Sequence, residues 1–398
     1  MNALYQAVVK MKDIIVVFTA VAVLGILTIT AWLKPADSYS DSERRELEQA
    51  PALTVDSFWD GSFMEDFEAY TVDQFPMRTG FRQLKNLTAK YAFGQLDVHD
   101  IYVYEGYFSQ MEYPLKEDSL ARAAKVFQAI YDEYLAGTEV KTYFSMIPDK
   151  NYFMAEESGH LSMDYNELYE YMKEHTEYME YIDITELLEL EDYYKTDTHW
   201  RQEKIQDVAK KLLMTMDKEA IVDKNADLIT GTNDNRQGND LSDASFNLAY
   251  VEKSLEEPFY GVYAGQSGLP AEGEELIYLN HENFKNCIVY NYEDNIETEI
   301  YDMEKAVGKD PYEMFLSGPI SLLTIENPEA TTEKELIMFR DSFGSSLAPL
   351  LVEGYAKITL VDIRYLSSAF LENWITFNNQ DVLFIYSTQV LNNSETMK

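Results

Sequence analysis

The stretch LIMFRDSFGSS, residues 336–346, begins with an apolar run, continues through a short turn and ends in a segment that favours a helix. Glu335 to Phe339 has the length and composition of a buried strand, and a helix is predicted from about Phe343 to Val352. A serine at such a turn sits where a parallel strand ends. Ligand crevices form at that edge of a parallel sheet. The stretch therefore predicts an α/β fold with Ser342 at the carboxyl edge of its sheet.

The same alternation of strand and helix continues on both sides of this stretch. Further strands are predicted at residues 140–147, 181–184, 357–361 and 381–386. Further helices are predicted at residues 120–135, 166–178 and 365–377. Strands that alternate with helices indicate a parallel sheet with crossover helices, layered α/β/α.

The character of the chain changes between about residues 217 and 320. A loop rich in Gly, Asn and Asp occupies residues 224–243. Hairpin-like aromatic pieces follow at residues 259–264, 276–280, 287–292 and 297–301. This pattern predicts a β-rich insertion within the α/β domain.

The amino-terminal region predicts a membrane anchor. Ile14 to Leu33 contains no charged residue, and twenty helical residues span about 30 Å, the thickness of a hydrocarbon core. The exit Ala31-Trp32-Leu33-Lys34-Pro35 is a poor cleavage site, so an uncleaved signal anchor is favoured over a removed signal peptide. We expect an anchor at residues 1–34, a juxtamembrane stalk at 35–60 and the α/β domain at 61–398. Flanking positive charges do not decide the orientation. The simplest insertion places the long domain outside the cell.

Composition excludes several function classes. The chain has 398 residues and a formal net charge of −38, which argues against nucleic acid as a partner because phosphate binding needs clustered basic residues. Cys287 is the one cysteine, so an intrachain disulfide and a cysteine zinc site are excluded. With five histidines in the chain, a multi-histidine metal centre is not expected. We predict neither a metal nor a cofactor.

The first segment with chemical potential is Tyr193 to Trp200, YYKTDTHW. Residues two apart in extended chain point the same way, so Asp197 and His199 can share one face. A carboxylate beside an imidazole fixes its tautomer and stabilises the imidazolium. The alternative is a structural Asp–His hydrogen bond at the start of a helix, with Thr196 or Thr198 as its cap.

The second segment is the turn that contains Ser342. Its hydroxyl would face the crevice, backbone amides at the helix start could hold an oxyanion, and Gly344 would let a substrate approach. The alternative is that Asp341 or Ser342 only caps the following helix. Together, Ser342, His199 and Asp197 supply a nucleophile, a base and an orienting acid, the set that acyl transfer requires.

These segments resemble a known family. TDTHW at 196–200, RDSFGSSLAPLL at 340–351 and VDIRY at 361–365 resemble the SGNH hydrolase-like domains of the alginate O-acetylation proteins. The wider layout is similar to the bacterial DHHW family, through the anchor, DQFPMR at 73–78, IPDK at 147–150, FYGVYAGQSG at 259–268 and FLSGPISLLTI at 315–325. The resemblance implies an SGNH-like, flavodoxin-like fold. It also implies that Ser342 is the nucleophile, His199 the base and Asp197 its orienter.

The chain departs from the family pattern at two positions. Thr198 stands where the DHHW family has a second histidine, and Gly318-Pro319 stands where a Gly-Asn pair is expected. Pro319 offers neither an amide side chain nor an N–H to an oxyanion. Four residues are candidates for binding substrate, namely Arg340, Gly344, Arg364 and Gly318. Arg340 and Arg364 would hold a substrate anion or, alternatively, form structural ion pairs.

The resemblance implies an exported, membrane-anchored enzyme that adds acetyl groups to an extracellular or cell-wall polysaccharide, or removes them. A transferase would need a membrane acyl transporter as its partner, because the outside of the cell lacks acyl-CoA. The alternative is a catalytically inactive module on the same fold that binds polysaccharide or cell wall. A third interpretation, an intracellular acidic scaffold, requires the opposite topology.

Overall fold

The computed structural model describes residues 2–40, 43, 45–216 and 250–398, with side chains from residue 9 onward. The chain forms two compact units. The first comprises Met1–His99 and Ala264–Pro270, and the second comprises Asp100–Tyr263 and Ala271–Lys398. The predicted loop at 224–243 lies outside the described residues.

The first unit begins with a long apolar helix, α1, at Asn2–Leu33. Its segment Val9–Leu33 has a mean hydropathy of 2.7, and no residue in its most apolar stretch is buried. Among the residues that the structure describes, this is the one helix long and apolar enough to cross a membrane. The stretch predicted as an anchor, Ile14 to Leu33, therefore lies within one continuous helix.

The rest of the first unit is small and mostly helical. Its elements are β1 (Tyr39–Ser40), β2 (Arg45–Glu46), α2 (Val55–Asp60), α3 (Ser62–Asp73) and α4 (Arg78–Phe93). The buried Asp73 carboxylate accepts hydrogen bonds from the Arg45 guanidinium, at 2.6 and 2.9 Å, and from the Glu48 N–H at 3.0 Å. The stretch predicted as a stalk thus contains β1, β2 and α2 and is tied to α3.

The second unit is built on an eight-stranded sheet in the order β10-β9-β11-β13-β12-β14-β5-β6. The strands of this unit are β3 (Ile101–Tyr104), β4 (Tyr107–Gln110), β5 (Lys141–Ile147), β6 (Glu180–Tyr181), β7 (Val251–Ser254), β8 (Ile277–Asn280), β9 (Ile288–Asn291), β10 (Ile296–Thr298), β11 (Leu322–Glu326), β12 (Glu335–Arg340), β13 (Lys357–Val361) and β14 (Asp381–Ser387). Strands β13, β12, β14, β5 and β6 are parallel, and β11, β9 and β10 extend the sheet antiparallel. The pairs β3–β4 and β7–β8 form separate small sheets.

Helices pack on both faces of the sheet. The helices that follow α4 are α5 (Glu117–Ile130), α6 (Lys150–Ser158), α7 (Tyr165–His175), α8 (Gln206–Met216), α9 (Val262–Ser267), α10 (Met303–Ala306), α11 (Phe343–Leu351) and α12 (Thr388–Asn392). Side chains of β12 alternate between two cores, since Leu336 and Met338 join the core that contains α8 and α11, while Ile337 and Phe339 join the core that contains α5, α7 and α12. Successive strand residues point to opposite faces, so a strand covered on both sides must be apolar throughout. The predicted three-layer α/β/α architecture is confirmed.

The structure differs from the sequence predictions in three places. The sheet predicted as parallel is mixed, because β11, β9 and β10 extend it with antiparallel pairing. The segment predicted as a helix at 365–377 contains a short 3₁₀ turn at Ser368–Asn373. The piece predicted as a hairpin strand at 259–264 instead runs into α9.

Candidate active site

Ser342 lies one residue beyond Asp341, which directly follows β12, and it occupies the N-cap position of α11. Strands β13 and β14 flank β12 in parallel, so Ser342 lies at the carboxyl edge of the sheet, as predicted. Its side chain makes no capping hydrogen bond. The Asp341 carboxylate instead accepts the Phe343 N–H at 3.1 Å. The Ser342 hydroxyl is therefore available to another partner, and the residue is partly exposed.

That partner is His199. The Ser342 Oγ lies 2.7 Å from Nε2 of His199, and Nδ1 of the same ring lies 2.5 Å from Oδ1 of Asp197. An ionised carboxylate only accepts hydrogen bonds, so Nδ1 carries the proton, and Nε2 then accepts the serine O–H. The three side chains form one hydrogen-bonded line, and folding brings together two segments that are 143 positions apart in the chain.

The loop that carries Asp197 is fixed by Gly261 and by Val262, the first residue of α9. The second carboxylate oxygen of Asp197, Oδ2, accepts the Val262 N–H at 2.8 Å. A Cβ at Gly261 would overlap the backbone and Cβ of Asp197, so only glycine allows this close approach. Asp197 has no exposed surface. The amide of Val262 therefore holds the carboxylate in place and satisfies an oxygen that water cannot reach.

Two further side chains anchor the same loop. The Glu274 carboxylate accepts hydrogen bonds from the Thr196 N–H at 2.7 Å and from the Thr196 hydroxyl at 2.6 Å. The buried Lys150 ammonium donates to the carbonyl of Tyr194 at 2.8 Å. Burial lowers the pKa of Lys150 to about 7, against the opposing attraction of Asp197. The Lys150 side chain is therefore buried beneath the loop and supports it.

Aromatic side chains enclose the imidazole. The Tyr312 ring lies parallel to the His199 ring, with 3.8 Å between centroids and 9° between planes. The Tyr312 hydroxyl donates to Ser346 Oγ at 2.8 Å, and the Trp200 indole N–H donates to the same oxygen at 2.9 Å. Burial raises the pKa of Tyr312 well above its usual value, so its phenol stays neutral. Ser346 thus connects the Tyr312 and Trp200 side chains to α11.

Arg340 does not lie on the surface of a crevice. It has no exposed surface, and its guanidinium donates to the Ile320 carbonyl at 3.2 Å and lies 3.7 Å from Asp362. Burial lowers the pKa of Arg340, an effect that Asp362 partly offsets. The structure therefore shows the alternative role of Arg340, a structural ion pair with a buried carboxylate, and its contact with substrate stays a prediction.

Arg364 is also held by Asp362. Its Nε and Nη2 donate to the two carboxylate oxygens at 2.9 and 2.6 Å. Burial acts to lower the pKa of Arg364, but the hydrogen bonds and charge of Asp362 outweigh it, and the net shift is upward. About 17% of its side chain remains exposed. Arg364 therefore combines a structural pair with a position beside open space, and its contact with substrate stays a prediction.

Gly344 is required by packing against its own strand. A Cβ there would lie 2.7 Å from the Cβ of Arg340 and 3.1 Å from Cε of Met338. This glycine lets α11 start close against β12, and its predicted part in substrate binding stays a prediction. The amides of Phe343 and Gly344 already donate to Asp341, so they are not open to an oxyanion. Among the described residues, the Ser342 N–H donates to no protein acceptor.

Gly318 lies in a tight turn. Leu316, Ser317 and Gly318 have φ values of 55°, 62° and 93°, all in the left-handed region. A Cβ at Gly318 would lie 3.1 Å from the Glu313 side chain. The contacts of Gly318 thus run to its own segment, and its predicted part in substrate binding is untested. Pro319 is exposed beside it.

Sequence reasoning did not find several residues of the site. Tyr312 and Glu274 belong to segments without a recognisable motif, and only folding places them beside residues 194–199. Gly261 and Val262 lie in FYGVYAGQSG, and in that segment the glycine was the one feature that could have indicated a close backbone approach. Within the described parts of the chain, no group of three His, Cys, Asp or Glu side chains is arranged to hold a metal ion.

The fold is found in proteins of known structure. No protein-family model matches the chain, and no curated protein does. A DHHW family protein from Eubacterium siraeum superposes with a TM-score of 0.53 at 18% identity, over 74% of this chain and 93% of that one. Bacillus cereus PatB1 with a sulfonyl adduct gives a TM-score of 0.53 at 17% identity, over 73% and 97%. The O-acetyltransferase domain of Pseudomonas putida AlgJ aligns over 74% of this chain and 92% of that one at 10% identity, with a lower TM-score of 0.43. The chain therefore has the fold of a DHHW family protein, in keeping with the resemblance of its motifs.

Proposed function

We propose that this protein is an acyl-transfer enzyme in which Ser342 is the nucleophile, His199 the general base and Asp197 the orienting acid. The observation that carries the proposal is the continuous hydrogen-bonded line from Ser342 Oγ through the His199 ring to Asp197. A partly exposed serine paired to a fixed imidazole is the arrangement that activates a hydroxyl for attack on a carbonyl.

The reaction has two halves. Ser342 Oγ attacks the acyl carbonyl while Nε2 of His199 takes the hydroxyl proton, and a tetrahedral oxyanion forms. The C–O bond to the leaving alcohol then breaks, and the imidazolium returns the proton to that alcohol. In the second half, His199 deprotonates an acceptor hydroxyl, whose oxygen attacks the acyl-serine carbonyl. The bond between the acyl carbon and Ser342 Oγ then breaks, and the imidazolium returns its proton to Ser342 Oγ. Asp197 stabilises the imidazolium in both halves.

The resemblance to the alginate O-acetylation and DHHW proteins supports acetyl as the acyl group and an extracellular or cell-wall polysaccharide as the substrate. A sugar hydroxyl as acceptor makes the enzyme a transferase, and water makes it an esterase. The sulfonyl adduct of PatB1 supports a direct test, because sulfonyl reagents modify activated nucleophiles.

We further propose that α1 anchors the protein in the cell membrane with the second unit outside, and that a membrane acyl transporter supplies the acyl group. The apolar helix supports the anchor. Protease added to intact cells should degrade the chain beyond residue 34. A chain that is degraded only after the membrane has been opened would contradict this topology.

The test of the chemistry uses the full-length protein in detergent. Wild type should hydrolyse p-nitrophenyl acetate, and phenylmethylsulfonyl fluoride should add one sulfonyl group at Ser342, as read by peptide mass spectrometry. Ser342→Ala and His199→Ala should lose turnover. Ser254→Ala, at an exposed serine on β7, is the matched control and should retain it. Equal rates in all four proteins would reject the proposal.

A further inference from the structure

A second feature at the same edge of the sheet is a cavity of about 380 Å³. It is lined mainly by polar side chains, among them Gln110, Glu112, Lys116, Gln389, Asn392 and Asn393. Its volume lies toward the lower end of the range for small-molecule sites, about 300–1,000 Å³. The reaction derived above uses none of these side chains.

The topology places this cavity at the same edge of the sheet as Ser342. Helix α12 follows β14, and β14 is the parallel neighbour of β12, so α12 and Ser342 both leave the carboxyl edge of the sheet. Gln389 on α12 lines the cavity, and its Oε1 accepts the Thr198 hydroxyl at 3.2 Å. Thr198 directly precedes His199. One side chain therefore separates the cavity from the loop of the general base.

Glu112 is the buried acid of the cavity, with 5% of its surface exposed. Its Oε2 accepts hydrogen bonds from the side-chain amides of Asn393 at 3.1 Å and Asn392 at 3.4 Å. Burial, and to a lesser degree the charge of Asp149, raises the pKa of Glu112 to about 7. A carboxyl group of this kind both donates and accepts hydrogen bonds near neutral pH.

The charges of the cavity do not favour an anion. Arg364 also lines it, but its guanidinium is bound to Asp362, and the Lys116 ammonium donates to the Asn393 side chain. The acids Asp100 and Glu112 line the same space. Carboxamides and carboxyls without excess positive charge match the hydroxyl groups of a neutral carbohydrate. Tyr113, 54% exposed at the rim, offers a ring face.

We propose that this cavity holds one neutral pyranose ring of the acyl acceptor, with its hydroxyls bound by Glu112, Asn393 and Gln389. This inference rests on the proposed acyl transfer to a sugar and specifies the substrate as an uncharged glycan. It also gives Thr198, the residue at the position of the second family histidine, a role in joining the acceptor site to the base.

Binding is measured by isothermal titration calorimetry on full-length Ser342→Ala in detergent, so that no turnover occurs. The probes are chitotetraose and cellotetraose as neutral glycans and tetragalacturonate as an anionic one. At least one neutral probe should bind. Asn393→Ala or Tyr113→Ala, each added to Ser342→Ala, should raise the Kd of that glycan about tenfold, which corresponds to about 1.4 kcal/mol of binding free energy. Tyr113 is exposed, so its variant tests the cavity even if Asn393→Ala unfolds. Asn378→Ala, outside the cavity, is the matched control and should bind as the parent does.

Three results would overturn the inference. The first is that neither neutral probe binds at millimolar concentration. The second is that the affinity is unchanged in Tyr113→Ala and in any folded Asn393→Ala. The third is that tetragalacturonate binds as tightly as the neutral glycans. Hydrolysis of p-nitrophenyl acetate by the wild type is scored separately. A protein that hydrolyses the ester but fails the binding experiment refutes the acceptor site alone, and one that does not hydrolyse it refutes the proposed function.

Discussion

The imidazole of His199 lies flat on the phenol ring of Tyr312, and the two ring centroids are 3.8 Å apart. The stack fixes the plane of the imidazole, while Asp197 fixes its rotation within that plane through Nδ1. Both degrees of freedom must be fixed for Nε2 to face Ser342. Tyr312 is therefore a positioning residue for the proposed base.

Two substitutions at Tyr312 distinguish the role of its ring, which stacks on His199, from the role of its hydroxyl. Tyr312→Phe keeps the ring but loses the hydrogen bond to Ser346, so we expect a loss of about 1 kcal/mol in the free energy of unfolding and little change in kcat. Tyr312→Leu loses the flat ring and should lower kcat for p-nitrophenyl acetate about tenfold. Denaturant unfolding and steady-state kinetics check the pair, and equal kcat values for Phe and Leu would contradict the positioning role.

Asp197→Asn tests the tautomer of the base. Asparagine can present its NH₂ group to Nδ1, which moves the imidazole proton to Nε2 and removes the acceptor that Ser342 needs. We expect kcat to fall about 10⁴-fold, as when the orienting acid of a serine triad is neutralised. The exposed Asp207→Asn is the control and should retain wild-type kcat. Retained activity in Asp197→Asn would show that the carboxylate has no part in the chemistry.

Gly344→Ala tests the close packing of α11 on β12. The new Cβ would be 2.7 Å from the Cβ of Arg340, and such overpacking costs about 1–3 kcal/mol. We expect a lower melting temperature. Ser342→Ala, two residues earlier in the same turn, removes no capping hydrogen bond and should melt near the wild-type temperature. Equal melting temperatures for Gly344→Ala and wild type would show that the helix can shift without cost.

Glu112 makes stability depend on pH. Burial raises its pKa from 4.5 to about 7, so the folded chain keeps a proton that the unfolded chain releases between these values. The contribution of this group is therefore complete below about pH 4.5 and is lost as the pH rises through about 7. Relative to wild type, Glu112→Gln should gain stability between pH 5 and pH 8, by several degrees in melting temperature. A difference that is constant across that range would contradict the raised pKa.

The sequence predicted the sheet well where both faces of a strand are buried. Lys357–Val361 and Glu335–Phe339 are apolar runs that only a covered parallel strand accommodates, and their bounds agree with the structure to within a residue. The segment from Phe259 has a similar composition, but the N–H of Val262 donates to Asp197 instead of to a neighbouring strand. That tertiary hydrogen bond starts α9, and no local pattern predicts it.

The line from Ser342 to Asp197 was predictable because each of its segments carries a recognisable motif. The surroundings were not, because their contacts join residues far apart in the chain whose types are common. Arg340 and Arg364 illustrate the difference, since a guanidinium after a strand suits either an anion or a structural pair. Asp362, which pairs with both, decides between these roles only once the sheet is assembled.

The Asp341 carboxylate accepts two backbone amides, the Phe343 N–H at 3.1 Å and the Ser387 N–H at 2.8 Å. The first belongs to the turn after β12 and the second to the end of β14, so one side chain clamps the start of α11 to the start of α12. The acylated serine and the acceptor cavity would then be held at a fixed spacing by the rigid edge of the sheet. Regioselectivity, the choice of which hydroxyl on a sugar ring receives the acyl group, would follow from that spacing, and changes at Asp341 would alter the pattern of acylation.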